Sequence, residues 1–224
     1  LGISKAVNMG IKIADTDYIL NINPDCIITS EEIEKLLIKN KEYKNCFITA
    51  PTFFENENKL ANNSAVFSDK EINPKFYNKS YDGDVCVDWV LLSAILFKKK
   101  TIQDMGMLDE NFFLYFLDED ICKRARMLGK SIIQVLNAKA IHADGISKVR
   151  NNLKKIFIRN FNFTYDELYY LYKINKHEKK FNIMKKKVSK YMFKLILNSF
   201  LFRIDKVVYY LSLILAYKKF KQLI

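Results

Sequence analysis

No uncharged apolar run in this chain is long enough to cross a bilayer. The longest, Val207–Tyr217, falls well short of the ~20 residues a spanning helix needs. Three prolines and six glycines are too few for a collagen-like, linker-rich or disordered chain. The four cysteines, at positions 26, 46, 86 and 122, form no CxxC pair and no cluster. They read as free thiols of a reducing compartment, not as a disulfide framework or a zinc site. No secretory signal pattern is visible, and the chain begins with Leu1. Acidic residues are scarce in the last third: residues 151–224 carry 17 Lys+Arg and 4 Asp+Glu, a balance of +13, whereas residues 1–150 carry 20 and 21. A basic appendage on a near-neutral domain calls for an anionic partner, namely a lipid surface, a nucleic acid or an acidic protein.

What is present suits one α/β domain over residues 1–150 and a helical, basic region over 151–224. Half of the 224 residues are hydrophobic, enough for a sizeable core. Ile3, Ala6, Val7, Ile11 and Ala14 recur at near-helical spacing, so an amphipathic helix is expected first. Tyr18–Asn23 reads as a short apolar strand. Thr29-Ser-Glu-Glu32 has the form of a capping box, with Thr29 as N-cap and Glu32 reaching back. The helix it starts runs to about Asn40 and buries Ile33, Leu36 and Leu37. Phe47–Ala50 is expected as a strand ended by Pro51, and the polar stretch 55–84 as an irregular surface excursion. Val85–Phe97 reads as strand-like, and Thr101–Met105 as a short helix stopped by Gly106.

Asn111–Phe116 is expected as a strand and Asp118–Leu128 as a helix, with acids in its first turn, bases later and Gly129 at its stop. Ser131–Leu136 is a further strand, with His142 beyond it. After Asn151 the pattern is helical. Tyr165, Leu168, Tyr169 and Tyr172 share a face, and apolar clusters then alternate with lysines. That mixture of Lys, Phe, Tyr and Leu suits helices lying in a membrane interface. Lysine runs with aromatics also bind nucleic acid, but no RNA- or DNA-binding motif accompanies them.

Two acidic segments stand where strands are expected to end: Asn23-Pro24-Asp25 and Asp118-Glu119-Asp120. Open α/β sheets bind ligands at strand ends. One carboxylate there can hold a divalent metal on a diphosphate, and another can accept a proton from an incoming hydroxyl. Each has a plainer alternative: Asn-Pro-Asp is a turn after a strand, and acids in a first helical turn complement the helix dipole. The plainer view of the second segment makes Asp118, Glu119 and Asp120 interchangeable.

Asp17-Tyr-Ile-Leu-Asn-Ile-Asn-Pro-Asp25 resembles the metal-binding segment of family 2 glycosyltransferases, in particular the rhamnosyltransferase-like members. Val87-Asp-Trp-Val90, the segment Leu108–Arg126, then Gly129 and Ala140-Ile-His142 follow that family's order and spacing. The resemblance covers roughly residues 1–175. It implies a GT-A-like, Rossmann-like mixed sheet flanked by helices. It also implies a nucleotide-diphosphate sugar donor, a glycan or lipid-linked acceptor, a divalent metal (Mg²⁺ or Mn²⁺) and inversion at the anomeric carbon.

Carried onto this sequence, the resemblance makes Asp25 a metal ligand and Asp118 the general base, with Asp120 as an acceptor-site or orienting group. His142 either completes the metal's coordination or is a structural histidine. Asp88-Trp89 matches a substrate-side segment, in which Trp89 either stacks on a sugar or packs in the core. Lys123, Arg124 and Arg126 either pair with diphosphate or line a solvated helix face, and of these Arg124 matches a family position. Asp144-Gly-Ile-Ser147 is expected to close over the diphosphate.

Three departures stand out. Leu117 replaces the usual Glu before the base. Val90-Leu91-Leu92-Ser93-Ala94 lacks the usual Gly. The family's first strands, which carry the base- and ribose-binding residues, have no counterpart before Leu1, so the chain is expected to be N-terminally incomplete. The expected setting is the cytoplasmic face of a bacterial membrane, in surface polysaccharide assembly, with the basic tail on anionic lipid and no nucleic acid. The alternative is a non-catalytic, truncated relative serving as a membrane-bound partner protein.

Overall fold

The computed structural model describes residues 1–57, 59–61, 64–66, 75–76, 83–142 and 152–224. The expected closing segment Asp144–Ser147 lies outside them. The chain forms two compact units, one of Lys5–Asp109 with Leu117–Ser147, the other of Leu1–Ser4, Glu110–Phe116 and Lys148–Ile224.

The first unit holds the sheet. In chain order its elements are α1 (Ile3–Ile13, beginning in the other unit), β1 (Tyr18–Ile22), β2 (Cys26–Ile27), α2 (Ser30–Glu42), β3 (Cys46–Asn56), β4 (Lys59–Leu60), β5 (Ser64–Val66), β6 (Lys75–Phe76), β7 (Val85–Cys86), β8 (Trp89–Val90), β9 (Ala94–Lys98), α3 (Lys99–Asp104), α4 (Leu117–Met127) and β10 (Ser131–His142). Among the described residues the main sheet runs β1-β9-β3-β10-β2, with β4 on β3 and β7 on β10; β6-β5-β8 form a second sheet. Among the described strands of this sheet, β3 and β10 pair in parallel and the other pairs are antiparallel, so the sheet is mixed as expected.

β1 and β2 stand at opposite ends of the five-strand order yet are joined by Asn23–Asp25 alone. Four strand spacings of about 4.8 Å come to ~19 Å, whereas the chain from Ile22 to Cys26 reaches at most ~14 Å. The sheet therefore curls at this end, around buried Phe53, Ala94 and Ala140. A larger cluster of Leu36, Cys46, Leu96, Ile133, Val135 and Ala138 fills the space under α2, with Ile33 and Leu37 packed against it.

α1 buries Asn8 and Ile11, not Ala6. Asn8 is satisfied twice, donating from Nδ2 to Leu108 O (2.8 Å) and accepting at Oδ1 from Leu108 N (3.0 Å). Thr29 caps α2 as expected, its Oγ1 accepting from Glu32 N (3.3 Å). Glu32 does not complete the box, because its carboxylate takes Lys35 (3.1 Å) and the Lys139 backbone N–H (2.8 Å).

Several expected boundaries are corrected. β3 does not end at Pro51 but runs through it to Asn56. Its registered pairing with β9 stops at Thr49 and that with β4 starts at Phe54, so the missing proline N–H falls in a gap along that edge. The 85–97 run is three strands. Its backbone bonds leave the ladder at the breaks: Val87 N donates to Ile132 O (2.9 Å), and Ser93 O accepts from Asn23 N (2.7 Å). β10 continues past Leu136 to His142. Part of the 55–84 excursion is strand, in β4, β5 and β6.

In the second unit, Asn111–Phe116 is not a strand. Asp166, fully buried on α5 (Asn152–Lys173), accepts from the N–H groups of Phe113 (3.3 Å), Leu114 (2.9 Å) and Tyr115 (2.9 Å). Those donors are thereby withdrawn from any ladder, and Phe116 takes φ 60°. α6 (His177–Phe200) and α7 (Ile204–Lys221) complete the unit. Phe157, Phe161, Tyr165 and Tyr169 stack in sequence along α5 at 5.5–6.4 Å. Lys219 of α7 lies 4.1 Å over the Tyr165 ring. Tyr172–Phe220 contacts bring together the C-terminal ends of α5 and α7, and Phe181–Tyr217 and Tyr191–Tyr210 contacts run α6 against α7 in the opposite sense. No described helix is long and apolar enough to cross a membrane.

Candidate active site

The turn Leu91–Ser93 between β8 and β9 is where the expected site residues meet. Ser93, 2% exposed, accepts at Oγ from Asn23 Nδ2 (3.1 Å) and lies 3.3 Å from His142 Nε2. His142 Nε2 is also 3.4 Å from Asp25 Oδ1. His142 comes to that position because β10 pairs with β2 in the register His142↔Cys26, beside Asp25. Asn21 Nδ2 donates to Leu92 O, and Leu92 N donates to Asp118 Oδ2 at the long distance of 3.5 Å. Two consecutive residues thus touch the Asp25–His142 pair on one side and Asp118 on the other.

The three acids opening α4 stand in different surroundings. Asp118 is half-buried, and that burial, opposed by backbone N–H groups, raises its carboxyl from 3.8 to about 6. Glu119 is raised to about 8, first by burial and then by the charge of Asp118. Its Oε2 is buried with no hydrogen-bond partner among the described residues. Asp120, 4% exposed, pairs with Arg124 Nε at 2.8 Å. Arg124 also donates from Nη1 to Met105 O and from Nη2 to Met107 O, both at 2.7 Å. It thereby braces the turn after α3, where Gly106 and Met107 both have positive φ. Of the expected substrate residues, Asp120 and Arg124 thus pair with each other, and Arg124 also with this turn.

Asp88 pairs with Arg126 Nε at 2.8 Å. Trp89 is 9% exposed, in β8 with Ala65 opposite it. The sequence assigned no role to Ser93, and Glu119 figured there only as a member of the acidic segment. The one signal for Ser93 was its place in the segment that departs from the family pattern.

Residues 1–98 match the family model described as glycosyl transferase family 2. Among curated proteins, the low-salt glycan biosynthesis hexosyltransferase Agl10 of Haloferax volcanii is 27% identical over 158 residues, covering 66% of this chain and 51% of that protein. The rhamnosyltransferase WbbL of Escherichia coli is 28% identical over 141 residues, covering 58% and 53%. The chain thus spans about half the length of these relatives. Among solved structures, a crystal structure of GalNAc-T7 with UDP, GalNAc and Mn²⁺ aligns with a TM-score of 0.49 at 11% identity, over 63% of this chain and 30% of that one, too slight a likeness to bear on the chemistry.

Proposed function

We propose that this chain, which belongs to glycosyl transferase family 2, moves a sugar from a nucleotide-diphosphate donor to a hydroxyl of a glycan or lipid-linked acceptor, with inversion at the anomeric carbon. The observation that carries this reading is the turn Leu92-Ser93, which contacts Asp118 through one residue and His142 through the next.

Asp118 is the general base. A carboxyl raised to about 6 is ionised near neutrality yet basic enough to take a proton. As the acceptor oxygen bonds to the anomeric carbon, its proton passes to Asp118 and the bond to the diphosphate oxygen breaks. Asp120 and Arg124 serve this step by bracing α4 and the 105–107 turn.

Asp25 and His142 fit a divalent ion. A carboxylate oxygen and an imidazole nitrogen converge at 3.4 Å, near the ~3 Å that separates neighbouring ligands of one octahedral ion at about 2.1 Å. No cluster of three or more His, Cys, Asp or Glu able to hold a metal occurs among the described residues. Mg²⁺ commonly rests on one or two carboxylates together with substrate phosphates. Bound there, the ion would neutralise charge developing on the leaving diphosphate. Without an ion, Ser93 Oγ, itself held by Asn23, meets that same His142 Nε2, and it would give the nitrogen up to the ion. Asp88 and Trp89 are proposed to border the sugar subsite, Asp88 held by Arg126.

The basic helical region is proposed to keep the enzyme on the cytoplasmic face of a bacterial membrane during surface polysaccharide synthesis, attracted to anionic lipid by about 1 kcal/mol per Lys near the surface.

Calorimetric titration of UDP and dTDP, with and without Mn²⁺, into the wild type and Asp25→Asn tests the donor reading. Metal-dependent binding that Asp25→Asn abolishes is the expected result. No binding to either nucleotide, with no sugar transfer, would point instead to a non-catalytic partner protein.

A further inference from the structure

The end of the helical unit where α6 turns into α7 carries two features that nothing in the transfer reaction uses. The first is an apolar tip. Phe200, Leu201, Phe202 and Ile204 are 77%, 51%, 88% and 59% exposed. Phe193 and Ile196, 67% and 50% exposed, extend the patch back along α6 at helical spacing. The tip is a fixed turn: Leu201 N donates to Leu197 O (3.1 Å), Phe202 N to Ser199 O (3.1 Å) and Arg203 N to Asn198 O (2.9 Å). Phe202 sits at φ 54°, so a bulky residue holds a left-handed conformation with its ring facing outward.

The second feature is a cleft of about 420 Å³ between the N-terminal half of α5 and the first turns of α7. Lys155, Arg159 and Lys206 line it, with Asn160 and Tyr209 as further polar groups and Asp205 as the acid among its lining residues. Arg159 also hydrogen-bonds the Tyr115 phenol, which fixes part of the cleft wall. Lys206 follows Ile204 by two residues, so tip and cleft share one end of the unit.

We propose that this end docks on an anionic phospholipid bilayer, with Phe200–Ile204 in the boundary between headgroups and acyl chains and a lipid phosphate in the cleft of Lys155, Arg159 and Lys206. The proposal rests on the membrane reading above and gives it an orientation and a contact surface. Amphipathic surfaces of this kind bury their apolar side a few ångströms deep while cations meet the phosphates. Charge selects this occupant over the others. A second copy would bring a second +13 region against the first. A nucleic acid could meet the cations and stack bases on the phenylalanines, but it would leave the aliphatic Ile196, Leu201 and Ile204 in water.

The test is flotation of the full chain with vesicles of phosphatidylcholine alone or mixed with phosphatidylglycerol. The wild type should float with the mixed vesicles and not with pure phosphatidylcholine. Phe200→Ser/Phe202→Ser should cut the bound fraction at least tenfold, and Lys155→Glu/Lys206→Glu should remove the preference for anionic lipid, both with unchanged thermal unfolding. Phe202→Trp should show blue-shifted emission, quenched by lipids brominated near the headgroup. Wild-type flotation that the tip variants retain would overturn the insertion while leaving membrane attachment intact. No wild-type flotation would overturn both. A dimer that Phe202→Ser dissociates, or a cleft that inorganic phosphate saturates without vesicles, would overturn the lipid assignment.

Discussion

Ser93 Oγ lies 3.3 Å from His142 Nε2 and 3.1 Å from the Asn23 amide that donates to it. A single buried hydroxyl therefore ties the Asn-Pro-Asp turn to the histidine at the end of β10. An ion taking Nε2 would displace Ser93 Oγ from that nitrogen and leave the hydroxyl beside the ion, where groups surrounding the ligands govern about 10–100-fold of metal affinity. Ser93→Ala should weaken Mn²⁺-dependent nucleotide binding by about tenfold while leaving metal-independent binding unchanged. Equal Mn²⁺ affinity in the two proteins would remove Ser93 from the site.

Asp118 predicts a pH profile. A base must be ionised, so transfer should rise with pH through about 6 and fall by ~10²–10⁴ in Asp118→Asn. Stability moves oppositely. A carboxyl whose folded pKa lies above its unfolded value favours folding most below about 3.8, and that contribution is lost as pH rises through about 6. Asp118→Asn should therefore be more stable than wild type above pH 6, by on the order of 1 kcal/mol. Thermal unfolding at pH 4.5 and pH 8 separates the two effects.

Arg124 holds Asp120 and two carbonyls at once. Removing it leaves a nearly buried carboxylate and two acceptors without it, so Arg124→Ala should cost about 3 kcal/mol in denaturant unfolding. Lysine has one compact head in place of the guanidinium fork, and Arg124→Lys should recover less than half of the loss. Recovery of wild-type stability by lysine would mean that charge alone matters.

Asp166 collects three backbone N–H groups from residues 113–115. Asp166→Ala should cost about 2–4 kcal/mol and speed hydrogen exchange at Leu114 and Tyr115. Asp166→Asn keeps one acceptor oxygen and should fall between the two. Unchanged exchange in Asp166→Ala would show that the segment is fixed by its side chains instead.

The parts of the fold legible in the sequence were those set by local rules. The N-cap at Thr29 and the acid-to-base gradient of α4 each need only a few neighbouring residues to be read. Asp25 and His142 were linked by family resemblance, and the β2–β10 register supplies the geometry behind that link. The misreadings share one cause, a partner distant in sequence. Glu32 leaves its own helix for the backbone of Lys139. Asn111–Phe116 is an aromatic-rich run of strand length, but Asp166 takes its donors. Pro51 is tolerated because β9 and β4 leave a gap beside it, which no local pattern displays. Ser93 stayed hidden because its two partners lie 70 and 49 residues away.

The short link Asn23–Asp25 makes the curled sheet and the site a single equilibrium. Asn23–Asp25 ties β1 to β2, and Asp25 lies beside His142 at the end of β10, so opening this seam by drawing β1 and β9 away from β2 and β10 strains the ion-binding pair. A nucleotide diphosphate held there with its ion acts as a clasp on the seam, and linkage requires that whatever tightens the clasp also suppresses the opening. Protection from hydrogen exchange on donor binding should then spread along β1 and β9 as far as Tyr18 and Lys98, at the opposite end of both strands from Asn23 and Ser93.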